Sequence, residues 1–179
     1  MSLLRYLGLS SAAETGAAGG SGDTQTVRRI MSSLDAMDPE RARFVAAFAY
    51  ILCRVARTDL SISAEEAEAM ERIVMERAGL TEEQAVVVLQ IAKTQEKLFG
   101  STENYLVTRE FNKLATREQK VALLDCLFAV SAADESISTA EDNEVVRIAT
   151  ELQLPRDEVT AARGRYRDYL AVLKGMPAR

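Results

Sequence analysis

The sequence predicts an all-α fold: a helical bundle of about seven to eight helices, built from two helix–loop–helix repeats related by a pseudo-two-fold axis. Three observations carry this. Apolar residues recur at helical spacing from Val27 to Leu173. No segment alternates with period two between turn signals, so no strand is expected. Finally, residues 52–76, LCRVARTDLSISAEEAEAMERIVME, return at 127–151 as LFAVSAADESISTAEDNEVVRIATE, with ten of 25 positions identical at a constant offset of 75. One such unit leaves an apolar face open, and packing a second against it closes that face.

The elements follow in order. Ser10 to Asp23 is rich in Ser, Gly and Ala and reads as a flexible linker behind the short apolar Met1–Leu9. The expected boundaries are therefore an arm and linker over 1–23 and a helical domain over 24–175. Repeat one covers about 39–99 and repeat two about 117–174. Val27, Ile30, Met31 and Leu34 form the first stripe, and Asp38-Pro39 supplies an N-cap and an N1 proline for the second. That second helix carries Phe44, Phe48, Ile51 and Val55 and ends in the loop around Asp59. Ser63 opens the third, and Gly79 terminates it. Thr81-Glu-Glu-Gln84 is a capping box for a fourth, running to about Phe99. A shorter helix covers about 103–115. Thr116-Arg-Glu-Gln119 caps the sixth, Ser138 opens the seventh, and Pro155 starts a last helix striped as far as Leu173. Gly79 to Gln84 corresponds to Gln153 to Glu158 after a one-residue slip.

Composition narrows the function. A net charge of -5 argues against nucleic acid or an anionic membrane as the default partner. The absence of histidine removes the commonest general base, His-activated nucleophiles and His-based zinc sites. Cys53 and Cys126 lie in apolar helical stretches and read as buried thiols of a reducing compartment. The longest apolar runs are shorter than the ~20 residues of a membrane span and carry Arg54 and Asp125. The chain reads as soluble and cytoplasmic, with no membrane span. Asp125, which corresponds to Tyr50 in the first repeat, is expected at a helix edge, with a cross-axis hydrogen bond as the alternative. Arg156, Arg163, Arg165 and Arg167, interspersed with acids, are expected on a solvated face.

Chemistry concentrates in the repeated Asp-x-x-Ile-Ser-x-x-Glu. Ser63 with Glu66, and Ser138 with Glu141, are capping boxes, and Ile62 and Ile137 are placed as hydrophobic staples. Asp59 and Asp134 each follow a long helix, where the macrodipole disfavours a carboxylate. Two readings stay open for them. One is an Asx-type turn, each carboxylate accepting loop amides. The other is a divalent cation held at Asp59, Glu66, Asp134 and Glu141, an all-oxygen set suited to Ca²⁺, Mg²⁺ or Mn²⁺. An EF-hand is excluded: Met70 and Val145 stand where its closing glutamate is needed, and neither loop contains glycine.

The stretches Val55-Ala-Arg-Thr-Asp59-Leu-Ser-Ile62-Ser63-Ala-Glu-Glu66 and Val130-Ser-Ala-Ala-Asp134-Glu-Ser-Ile137-Ser138-Thr-Ala-Glu141 resemble the TerB-like family, helical proteins named for a bacterial tellurite-resistance determinant. The resemblance covers about Phe44 to Leu173. It departs from the family pattern where glycine usually follows each aspartate, since Leu60 and Glu135 stand there. It implies an all-helical pseudo-two-fold domain of bacterial stress-response systems with metal-binding acidic loops, and it brings no catalytic residue. The expected function is thus a non-enzymatic binding or scaffold protein with an unidentified protein partner. The alternatives are a carboxylate- or metal-dependent hydrolase and a metal-free partner-binding bundle.

Overall fold

The structure is a computed structural model that describes residues 21–56, 64–94, 104–133 and 135–174. The arm before residue 21, Asp59, Ser63 and Asp134 lie outside the described residues, as does the expected end of the fourth helix at 95–99.

Nine α-helices and one 3₁₀ turn make up the described chain: α1 Ser21–Asp35, α2 Pro39–Ala56, α3 Ala64–Ala78, α4 Glu82–Thr94, α5 Asn104–Leu114, α6 Arg117–Ser131, α7 Thr139–Glu151, α8 Arg156–Arg165, the 3₁₀ turn Arg167–Tyr169, and α9 Ala171–Lys174. No strand occurs among the described residues, only a single isolated parallel bridge, Ile137 to Leu170. The first helix begins within the last residues of the Ser/Gly/Ala-rich stretch.

Local chemistry starts these helices where the sequence places it. Asp38 Oδ1 accepts from the amides of Glu40 and Arg41 at 2.9 and 3.2 Å, so α2 begins at Pro39. Thr116 and Gln119 form a reciprocal capping box at α6. Thr81 and Gln84 bond reciprocally at 3.3 Å before α4.

α2 and α6 form the centre. From Phe44 to Val55 every residue of α2 is buried, as is every residue of α6 from Leu123 to Ala129. A helix apolar on all sides must be surrounded, and these two are. α2 packs against α4, α5, α6, α7 and α1, while α6 packs against α2, α3, α7 and α8. Phe44, Phe48 and Phe111 join α2 to α5, with ring centroids of Phe44 and Phe111 5.3 Å apart. Phe128 of α6 stacks on Tyr166 at 5.7 Å. The packing crosses between halves: α3 lies on α6, and α7 lies on α2. Helix ends coincide at the sequence offset, Ala56 with Ser131 and Ala64 with Thr139.

The last helix differs from its expected form. Pro155 is the N-cap of α8, and the helix stops at Arg165 rather than continuing to Leu173. The reason lies in the loop before α7. The Ile137 amide donates to Tyr169 O at 2.7 Å, and the Ala171 amide donates to Ile137 O at 2.9 Å. A buried loop backbone needs partners. An extended Leu170, itself buried, supplies them at the cost of one continuous helix.

α7 ends in a Schellman motif. The Leu154 amide donates to Ala149 O and the Gln153 amide to Thr150 O, with Gln153 at φ 60°. Gly79, its counterpart after α3, has φ 61°. Glutamine in the left-handed region carries a Cβ clash that glycine avoids. Gln153→Gly is therefore expected to stabilise the fold by about 0.5–1 kcal/mol, the relieved clash less the extra unfolded-state entropy of glycine, read as a higher urea midpoint at unchanged m-value.

Candidate functional site

The second acidic loop connects α6 to α7, and its flanks are closed. The Ala132 amide donates to Phe128 O, ending α6, and the Glu135 amide donates to Ala132 O at 3.0 Å. Glu135 has φ 64°, the left-handed conformation. Ile137 is buried in the core and bridged to Leu170; it is not a staple on its own helix, because the N4 position is the carboxylate Asp142. At Ser138 the N-cap box forms as the sequence predicts. The Ser138 amide donates to Glu141 Oε2 at 2.8 Å, and the Glu141 amide donates to Ser138 Oγ at 3.2 Å. Glu141, one of the four expected cation ligands, thus serves its own helix start. Glu66 lies in the first turn of α3. Its side chain, with Asp59 and Asp134, is outside the described residues. Among the described residues no three His, Cys, Asp or Glu side chains gather as a metal would need.

Charge inside the bundle is organised elsewhere, around one residue on each central helix. Arg54, near the end of α2, has a side chain only 3% exposed. Its Nε and Nη2 donate to Glu144 Oε1 at 2.9 and 2.7 Å. Nη1 donates to Glu151 Oε2 at 2.6 Å and to Thr108 Oγ1 at 3.0 Å, and Nη2 reaches Glu151 Oε1 at 3.1 Å. All five guanidinium hydrogens have acceptors. Thr108 donates in turn to Glu151 Oε2 at 2.9 Å. The cluster ties α2 to α5 and α7. Burial works against the charged form of Glu151, but the hydrogen bonds from Arg54 and Thr108 outweigh it and hold the carboxyl below its ordinary range.

Asp125 is the counterpart on α6. It was expected at a helix edge, yet it is buried and enclosed by cations. Arg77 of α3 bonds its Oδ2. Arg165 Nη2 donates to Oδ1 at 2.7 Å, and Arg77 Nη1 also donates to the Tyr166 hydroxyl at 3.2 Å. Burial would raise the Asp125 pKa, but the bonds from Arg165 and Arg77 bring it below normal. Arg163 forms a two-pronged bridge to the buried Asp142 at 2.7 and 2.8 Å. Two of the four C-terminal arginines, Arg163 and Arg165, thus tie down interior carboxylates. Arg156, Arg165 and Arg167 are exposed, as the solvated-face expectation has it, and Arg163 is half-buried. Neither cluster was named from the sequence. A lone charge within each apolar run, Arg54 and Asp125, was the signal available.

Both thiols are buried and unpaired with each other, as expected. Cys53 Sγ donates to Ala49 O at 2.8 Å, and burial pushes the Cys126 thiol up to about 12.

A family model described as Tellurite resistance protein TerB matches residues 44–164. The chain belongs to the TerB family. No curated protein and no solved structure matches it. The TerB match runs from within α2 to within α8 and contains both acidic loops and every residue of the Arg54 cluster. It stops before Leu170, so the contact that pins the second loop comes from beyond the matched TerB region. The left-handed Glu135 stands where glycine is usual in the TerB pattern, and the turn is made all the same.

Removing Arg54 leaves two carboxylates facing each other in a buried site. Arg54→Met is expected to cost about 3–5 kcal/mol, as for other broken buried ion pairs, measured by urea denaturation. The depressed carboxyls also set an acid limit. Because the folded pKa values of Glu151 and Asp125 lie below their unfolded values, their contribution is fully present above the ordinary carboxylate pKa of about 4. It is lost as pH falls through the depressed values. Stability should hold from pH 7 to about 5 and fall below about 4, with a shallower fall in Asp125→Asn.

Proposed function

We propose that this TerB-family chain is a non-enzymatic binding module of bacterial stress response, working in the cytoplasm. Its duplicated acidic loops take up a divalent cation and offer the result to a protein partner. The observation that carries the reading is the order of the residues that flank Asp134: the left-handed Glu135, the Ile137–Leu170 bridge and the Ser138–Glu141 box. A turn ordered in advance spends little entropy on binding. The donors fit a hard cation, being oxygens with no histidine or thiolate among them. Asp59 and Glu66 would hold it in the first loop, and Asp134 and Glu141 in the second. The cation would supply charge neutralisation where two aspartates follow long helices in the sequence.

A binding role is favoured over the hydrolase alternative by how the buried charges are used. Arg54, Glu144, Glu151, Asp125 and Asp142 are all committed to ion pairs between helices. The metal-free partner-binding alternative draws on one specific contact, the engagement of Glu141 Oε2 by its own N-cap.

Thermal unfolding with and without Ca²⁺, Mg²⁺ and Mn²⁺ separates these readings. Millimolar cation over a site of about 10 μM adds about 2.7 kcal/mol, which raises Tm by several degrees in a domain of this size. Asp59→Asn and Asp134→Asn should each reduce that rise. A wild-type protein whose Tm moves with none of the three ions is the metal-free bundle, its aspartates serving as turn residues.

A further inference from the structure

We infer that the groove between α7 and α8 is a docking site for an acidic amphipathic helix of a partner protein. The groove encloses about 730 Å³, within the range of ligand-accepting cavities. Its walls have helical periodicity. Asn143, Val146 and Thr150 line it along α7, and Val159, Arg163 and Arg167 line it from α8 onward. Side chains three and four apart form ridges, and two ridged helices side by side leave a channel shaped for a third.

Packing explains why the channel is open here. In the first half, α4 lies against α3 and α2 and is covered by α1. In the second half, α8 rests on α6, and among the described residues no other helix makes comparably extensive contact with it. Val146 remains 39% exposed as a result. Leu154 and Val159, partly buried, complete an apolar floor.

Charge selects the occupant. Arg163 is neutralised by Asp142, but Arg156 and Arg167 form no ion pair among the described residues. Arg156 opens α8 and Arg167 lies just past its end, in the 3₁₀ turn, so the two cations bracket the α8 wall of the groove. The two threonines of the groove turn their hydroxyl hydrogens back to the chain, Thr150 to Val146 O and Thr160 to Arg156 O. Carboxylate recognition therefore falls to the guanidiniums. The geometry suits a helix with an apolar stripe flanked by acidic side chains towards both of its ends. In a chain of net charge -5 this cationic channel stands out from its surroundings.

The test uses the full chain in EDTA, so the cation reading can fail without touching this one. The probe is a labelled synthetic helix with leucines at i, i+3, i+4 and i+7 and glutamates elsewhere, followed by fluorescence anisotropy. Saturable binding is expected, weakened at least about tenfold in Arg156→Glu/Arg167→Glu and by added salt. Gly164→Trp gives a second, independent block. A Cβ at Gly164 meets nothing within 4 Å, so the indole enters open groove space and the melting temperature should hold while binding is lost. A probe with lysines for glutamates should bind the wild type poorly and the charge-reversed variant well. Several results would overturn the proposal: no binding, equal binding of both probes, or full competition by inorganic phosphate alone, which would make this a small-anion site. A concentration-dependent dimer dispersed by Val146→Asp would equally do so, since the groove would then join two copies of this chain.

Discussion

Each central helix carries one buried charge, and the arrangement of the other helices answers to those two charges. Arg54 on α2 is satisfied only if α7 brings Glu144 and Glu151 and α5 brings Thr108 to the same point. Asp125 on α6 requires Arg77 from α3 and Arg165 from the end of α8. Apolar packing alone tolerates sliding and rotation of helices, because many arrangements bury similar area. A buried guanidinium with five donors does not, since a misplaced partner leaves a charge unpaired. The mutual placement of the halves is therefore set by polar geometry at two points within an apolar interface.

The helices and their starts were legible in the sequence because their causes are local. Asp38, Thr116 and Ser138 cap helices through amides two or three residues away, and the stripe of each amphipathic helix is written in its own residues. Three features were not legible, and each depends on distant chain. The break after Arg165 exists because Ile137, far back in sequence, needs backbone partners. Asp125 looked like a helix edge because its arginines come from α3 and from the end of α8. The left-handed Glu135 and Gln153 break a residue preference that only the closed turn overrides. Of the four acidic residues singled out for a cation, the capping role of Glu141 was readable, since a capping box is itself a local pattern.

The second half holds both surfaces on which a binding role is built. Its acidic loop is pinned by the segment after α8, and its groove is walled by α8 itself. The two share α7, whose first turn starts from Ser138 and whose outer face carries Val146. What binds one surface thus meets a helix already engaged by the other, through a single rigid element. The first half packs its corresponding helices directly, α4 lying against α1, α2 and α3.

The signs of the buried charges also bear on assembly. The first half contributes Arg54 and Arg77 to these clusters, and the second contributes Glu144, Glu151, Asp125 and the Arg165 that also bonds Asp125. Ala129 stands at the repeat position of Arg54, and Tyr50 at that of Asp125. Two first halves brought together from different molecules would leave Arg54 without its carboxylates, and two second halves would leave Glu144 and Glu151 without their guanidinium. Although the halves resemble each other in sequence, they are not interchangeable. Arg54 finds its carboxylates only in the opposite half, so the pairing that completes the fold is written within a single chain.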